Sequence, residues 1–66
     1  MILLRDLIPC ITSYYEVVDF KNNLIYSRAY YVADYDYCKV HNMCIDELFD
    51  GTPYIKITIE RGCYGA

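Results

Sequence analysis

The clearest pattern lies near the end of the chain. In residues 54–60, Ile55, Ile57 and Ile59 alternate with Tyr54, Lys56, Thr58 and Glu60. A period of two sends the isoleucines to one side and the polar groups to the other, which predicts a half-buried antiparallel strand. Near the start, Leu3, Leu4, Leu7, Ile8 and Ile11 recur at helical spacing. Pro9 would clash with the carbonyl of Arg5 in a continuous helix, so the helix is expected to end at Leu7 or Ile8. Thr12 and Ser13 read as a connection.

Between these ends the pattern is more broken. Residues 14–19 are rich in β-branched and aromatic side chains and predict a strand. Residues 21–23 give a turn, because Asn tolerates the left-handed backbone. Residues 24–28 predict a second strand, closing a hairpin. In residues 29–44, Asp34 is placed to cap a short helix over 35–41, with Asn42 as its left-handed stop. The i,i+4 spacing of Tyr31 and Tyr35 favours that helix over an irregular loop. Residues 43–48 predict a third strand and 50–53 a turn, with Pro53 excluded from a paired strand interior. Residues 61–66 read as a tail. The sum is one α+β domain over residues 1–66, in the order α-β-β-α-β-β. It has a single small antiparallel sheet of about four strands with one or two short helices on its apolar face.

Composition narrows the functional classes. Of 66 residues, 56% are hydrophobic and 23% charged, which excludes disorder, and three glycines with two prolines exclude collagen-like or linker sequence. A chain this short buries only about 60% of its unfolded surface, and such a core rarely supplies more than ~3–5 kcal/mol. A very aromatic core or self-association is expected to make up the difference. The nine tyrosines cannot all be core, because each buried hydroxyl needs a partner.

Charge is uneven. Residues 34–50 set Asp34, Asp36, Asp46, Glu47 and Asp50 against Lys39, a net of −4 with His41 neutral, while the rest of the chain nets +1. Without a Lys/Arg cluster, direct nucleic-acid binding is not expected. An acidic stretch suits a basic protein surface, or is simply a solvated face. The initial apolar residues are interrupted by Arg5 and Asp6, and no run approaches the ~18 apolar residues of a membrane span. Cys63-Tyr64-Gly65-Ala66 has the spacing of a prenylation box, but Tyr and Gly fit its aliphatic positions poorly. The expectation is a cytoplasmic protein with reduced thiols.

A second resemblance is to a family. A leading L-x-D-L-I (Leu4, Asp6, Leu7, Ile8) is followed by V-x-D (Val17, Asp19), a polar turn and L-I-Y-S (Leu24 to Ser27). The chain then closes on D-G-x-x-x-I-x-I-x-I-E (Asp50, Gly51, Ile55, Ile57, Ile59, Glu60). This layout resembles a diffuse group of small uncharacterised proteins carried by phages and integrative elements of Gram-positive bacteria. Pro9 and the Tyr- and Cys-rich middle depart from it. The resemblance implies a mobile-element origin and a bacterial cytosol, and it carries over no catalytic residues.

Candidate chemistry is sparse. Cys38, His41 and Cys44 form C-x₂-H-x₂-C, which with Cys10 or Cys63 would make a Cys₃His zinc set. The alternative, reduced cysteines acting as small hydrophobes beside a surface histidine, is preferred, so no metal or cofactor is assigned. His41 is the single histidine, and no Gly-rich phosphate loop exists. The carboxylate pairs Asp34/Asp36 and Asp46/Glu47 diverge at their spacings. The chain therefore reads as a non-enzyme. The candidate partner-binding surface is Tyr30, Tyr31, Asp34, Tyr35, Asp36, Tyr37, Asp46 and Glu47, since tyrosine supplies rigid, amphipathic contact area. The leading expectation is a mobile-element protein that binds and inhibits a host protein with a basic surface, such as a CRISPR or other antiphage defence component. The alternatives are an oligomeric sponge for nucleotide signals, or a structural subunit that self-associates through an open sheet edge.

Overall fold

Pro9 sets the course of the first segment. The computed structural model, which describes residues 2–60, has one α-helical turn, α1 (Leu4–Leu7), followed by a 3₁₀ turn over Ile8–Cys10. Pro9 occupies the opening of that second turn, where a missing N–H costs no helical bond. Strand β1 (Tyr15–Val18) then turns back into β2 (Leu24–Ser27). A crossover carrying a 3₁₀ turn at Ala33–Tyr35 leads to β3 (Val40–Glu47) and β4 (Pro53–Ile59). Residues 61–66, expected to be a tail, lie outside the described residues.

Both hairpin turns have a side-chain cause. In the first, the Asp19 carboxylate accepts the backbone N–H groups of Lys21 and Asn23, each at 2.9 Å, and Asn22 takes φ 67°. Asp19 is 8% exposed, so this carboxylate is built into the fold. In the second, Asp50 accepts the Thr52 N–H at 3.0 Å and Gly51 takes φ 87°, a conformation that glycine adopts without strain. Pro53 opens β4 opposite Glu47, a position that needs no interior ladder donor.

The sheet runs β2-β1-β4-β3. Its outer pairs are antiparallel hairpins, but its central pair, β1 with β4, is parallel, with Val17 opposite Ile57. The expected all-antiparallel sheet is thus corrected to a mixed one. Alternating hydrophobicity records which side a residue faces but not the direction of the neighbouring strand. The crossover returns the chain to the far edge, and that path makes the centre parallel.

The expected helix over 35–41 is also corrected. Only residues 33–35 turn, and β3 begins at Val40. The leading segment takes the hydrogen bonds that such a helix needs: Leu4 N–H donates to the Cys38 carbonyl at 2.9 Å, Arg5 N–H to that of Asp36 at 2.8 Å, and Val40 N–H to that of Ile2 at 2.9 Å. Leu3 pairs with Lys39 as an isolated bridge. The tyrosines at 31 and 35 do sit together, but as two rings against Tyr26, at 5.7 and 6.1 Å between centroids.

The core is Leu4, Tyr15, Val17, Tyr26, Cys38, Ile57 and Ile59. It lies between the apolar side of the sheet and a lid made by the leading turns and the crossover. By register, Glu16, Lys56, Thr58, Asn42, Cys44 and Asp46 share the other side.

Candidate functional site

The crossover holds its tyrosines against a rigid floor. Tyr30 N–H bonds back to the Ser27 carbonyl at 2.9 Å, and the segment then folds over Tyr26 through the Tyr31 and Tyr35 rings. Tyr30, Tyr31 and Tyr37 remain 74%, 50% and 63% exposed. Asp34 is exposed on the 3₁₀ turn, while Tyr35 and Asp36 are half-buried. Between this segment and the leading turns lies a shallow cleft of about 510 Å³, lined by Arg5, Ile8, Pro9, Tyr15, Tyr31, Asp36 and Tyr37.

Two polar pairs shape the cleft. The Tyr31 hydroxyl donates to the Asp36 carboxylate, and this bond, more than burial, holds the Tyr31 hydroxyl above the usual tyrosine range. Arg5 lies over the Tyr37 ring, 5.1 Å from its centroid, and its Nη1 donates to the Tyr37 hydroxyl at 2.9 Å. Arg5 is therefore already committed to a ring of its own chain. Nearby, the Tyr26 hydroxyl is buried without a hydrogen-bond partner among the described residues. Burial, reinforced by Tyr15, Tyr31 and Asp36, raises its pKa well beyond the usual tyrosine value. An unpaired buried hydroxyl of this kind costs ~1–3 kcal/mol.

Of the eight candidate residues, Tyr31, Asp36 and Tyr37 line the cleft, while Tyr30, Asp34 and Tyr35 lie on the same crossover outside its lining. Asp46 and Glu47 do neither. They sit in β3, and Asp46 is opposite Tyr54 on the side of the sheet away from the crossover. Asp46 accepts the Glu47 N–H at 2.8 Å and pairs with Lys56 Nζ at 3.1 Å, which together hold its carboxyl below the ordinary range. The acidic stretch of the sequence is thus divided between two places. Among the described residues, Asp36 is the carboxylate that lines the cleft, together with Arg5, while Asp34 is exposed on the 3₁₀ turn. Arg5 and Tyr15 were not apparent as cleft residues, because no local pattern joins residue 5 to residue 37.

The cysteines follow the same logic. Cys38 is fully buried in the core, Cys10 and Cys44 are exposed, and the His41 ring stands edge-on to Phe20 at 4.7 Å. Among the described residues no three His, Cys, Asp or Glu side chains converge as metal ligands would. A zinc set completed by Cys63 falls outside those residues. No helix among the described residues is long and apolar enough to cross a membrane. Comparison with protein-family models, curated proteins and solved structures finds no match for this chain.

Proposed function

We propose that this chain is a non-enzymatic interaction protein whose docking surface is the tyrosine-lined cleft and its rim at Tyr30, Tyr31, Asp34, Asp36 and Tyr37. The observation that carries this reading is the exposure of three tyrosine rings on a segment that is itself fixed by core contacts. Rings held in this way lose little entropy on binding, and interface hot spots favour them. Asp36 supplies a half-buried carboxylate beside those rings. Its chemistry suits a lysine or arginine presented by a partner, so the partner class is a protein with a basic surface. The family resemblance supports a host defence component of the CRISPR or related antiphage kind, with inhibition as the outcome. Asp46 and Glu47 fall outside this footprint.

The test is a pull-down from bacterial lysate with the intact chain, with Tyr30→Ala/Tyr37→Ala, and with Asp34→Asn/Asp36→Asn. Loss of a specific captured partner with both double variants is expected. Asp46→Asn/Glu47→Gln should capture it as the unsubstituted chain does. Equal capture by all four proteins removes the cleft from the function.

A further inference from the structure

The two edges of the sheet are not alike. β2 has four residues, with Lys21 and Arg28 near its ends. β3 has eight, and from His41 to Glu47 it contains neither Lys nor Pro, the usual devices against edge pairing. The direction of its backbone groups follows from printed bonds on its neighbour. Ile55 N–H points toward β1, to the Tyr14 carbonyl, and Glu60 N–H points toward Lys39. Alternation along β4 then aims Tyr54, Lys56 and Thr58 at β3. Their partners Asp46, Cys44 and Asn42 aim back, which leaves the N–H and C=O groups of Met43 and Ile45 facing outward, with the Glu47 N–H already given to the Asp46 carboxylate at 2.8 Å.

The open stretch has fixed limits. At its start, Ile2 and Leu3 already pair with Val40 and Lys39. At its end, the chain leaves the strand for the Leu48 to Thr52 turn. What remains is 41–47, and its midpoint is Cys44. Met43 and Ile45 project on the same side as the buried Ile57 and the half-buried Ile55, yet are 50% and 69% exposed. Among the described residues nothing covers this apolar pair or takes the outward donors of Met43 and Ile45, and such an edge is half of an interface.

We infer that β3 pairs antiparallel with β3 of a second copy of this chain, about a two-fold axis at Cys44, to form a continuous eight-stranded sheet. That register uses the whole open edge. It sets Met43 against Ile45 of the second copy, twice, on the apolar side, where their backbones exchange hydrogen bonds. It sets Asn42 against Asp46 of the second copy on the polar side and brings Glu47 toward the His41 end. No two like charges are opposed. Shifting the axis to Met43 places Ile45 against His41, and shifting it to Ile45 places Met43 against Glu47; each then keeps a single apolar pair, on the axis, where the Cys44 register makes two. Self-association of this kind also meets the stability shortfall of a short chain.

The register makes a chemical prediction. Cys44 and Cys44 of the second copy form a non-hydrogen-bonded pair, whose Cα atoms lie ~4.5 Å apart in such ladders. That is within the ~4.4–6.8 Å range of a disulfide. Diamide, a two-electron oxidant, would take two electrons and two protons from these thiols and leave one S–S bond.

The experiment measures mass by light scattering in reducing buffer, then gel mobility after diamide. The intact chain should double its 7.8 kDa mass, and a Cys10→Ser/Cys63→Ser variant should cross-link on oxidation. Adding Cys44→Ser should abolish the cross-link and keep the non-covalent dimer. Ile45→Lys should give a monomer with an unchanged circular dichroism spectrum, because that side chain is exposed in the single chain. A monomeric intact chain at its highest soluble concentration overturns the proposal, as does a dimer that survives Ile45→Lys. Cross-linking that persists without Cys44 overturns the register.

Discussion

The two hairpins of this sheet use the same turn chemistry under opposite conditions. In β1–β2 the turn carboxylate, Asp19, is 8% exposed, and Val17, Val18 and Tyr26 beside it are buried. In β3–β4 the corresponding Asp50 is exposed, and β3 buries no residue fully along its length. The first hairpin is fastened to the core through its turn and both strands. The second is fastened chiefly through β4, and β3 is held by its ladder to β4, by the leading segment at Val40 and by the Phe20–His41 ring contact. A short chain has enough apolar cover for one face and one set of strands. What is left over is β3, exposed over most of its length.

That contrast is open to direct attack. The largest effect is expected in the strand both hairpins depend on. Ile57 is fully buried in β4 opposite both Val17 and Met43, so Ile57→Ala should cost ~2–5 kcal/mol and prevent cooperative thermal unfolding. Ile45→Ala in the neighbouring strand removes an exposed side chain and should leave the melting midpoint of the monomer nearly unchanged.

Next come the turns. Asp19→Ala strands two N–H donors in a part-buried turn and should cost ~1–3 kcal/mol by urea denaturation. Asp50→Ala loosens an exposed turn and should shift the urea midpoint much less. Equal losses at the two turns would erase the distinction between the hairpins.

Tyr26→Phe should be neutral or stabilising by ~1 kcal/mol, since it removes a buried hydroxyl that lacks a partner. It should also change the alkaline limit. A hydroxyl whose folded value lies above its unfolded one supports the fold below the unfolded value and loses that support as pH rises past it. The parent chain should therefore destabilise above the ordinary tyrosine range near pH 10, and Tyr26→Phe should blunt that loss. The smallest effect belongs to the second hairpin at acid pH. Asp46 and Asp50 are both held below the usual carboxylate range, the first by the Glu47 N–H and Lys56, the second by the Thr52 N–H. Their contribution is present above the unfolded carboxylate value and fades as pH falls through the folded one. Acid titration followed by amide exchange should show β3–β4 protection declining slightly, and less so in Asp46→Asn.

What was readable in the sequence follows the same division. The β4 alternation, both turns, the break at Pro9 and four strands were legible because each is decided by neighbours within a few positions. The parallel centre was not, since no local rule orients β1 against a strand met much later in the chain. The stretch 35–41 misled because its spacing suits a helix, whereas its carbonyls are claimed by Leu4 and Arg5. For the candidate site, local spacing gathered the tyrosines of 30–37, of which Tyr31 and Tyr37 line the cleft. It also joined them to Asp46 and Glu47, which β3 carries at the end away from the crossover, with Asp46 on the polar side of the sheet.

The parallel pairing of β1 with β4 has a consequence for how the chain reaches this structure. Each hairpin closes over a few residues and needs little loop-closure entropy. Tyr15 and Ile55, adjacent across the centre, are separated by about 40 residues, so their meeting is the costly closure. Contacts of that separation slow folding and leave apolar strand faces exposed while the chain waits. Topology thus predicts an order of events, to be checked by φ values: the two hairpins pair before the centre, and the meeting of Val17 with Ile57 limits the rate.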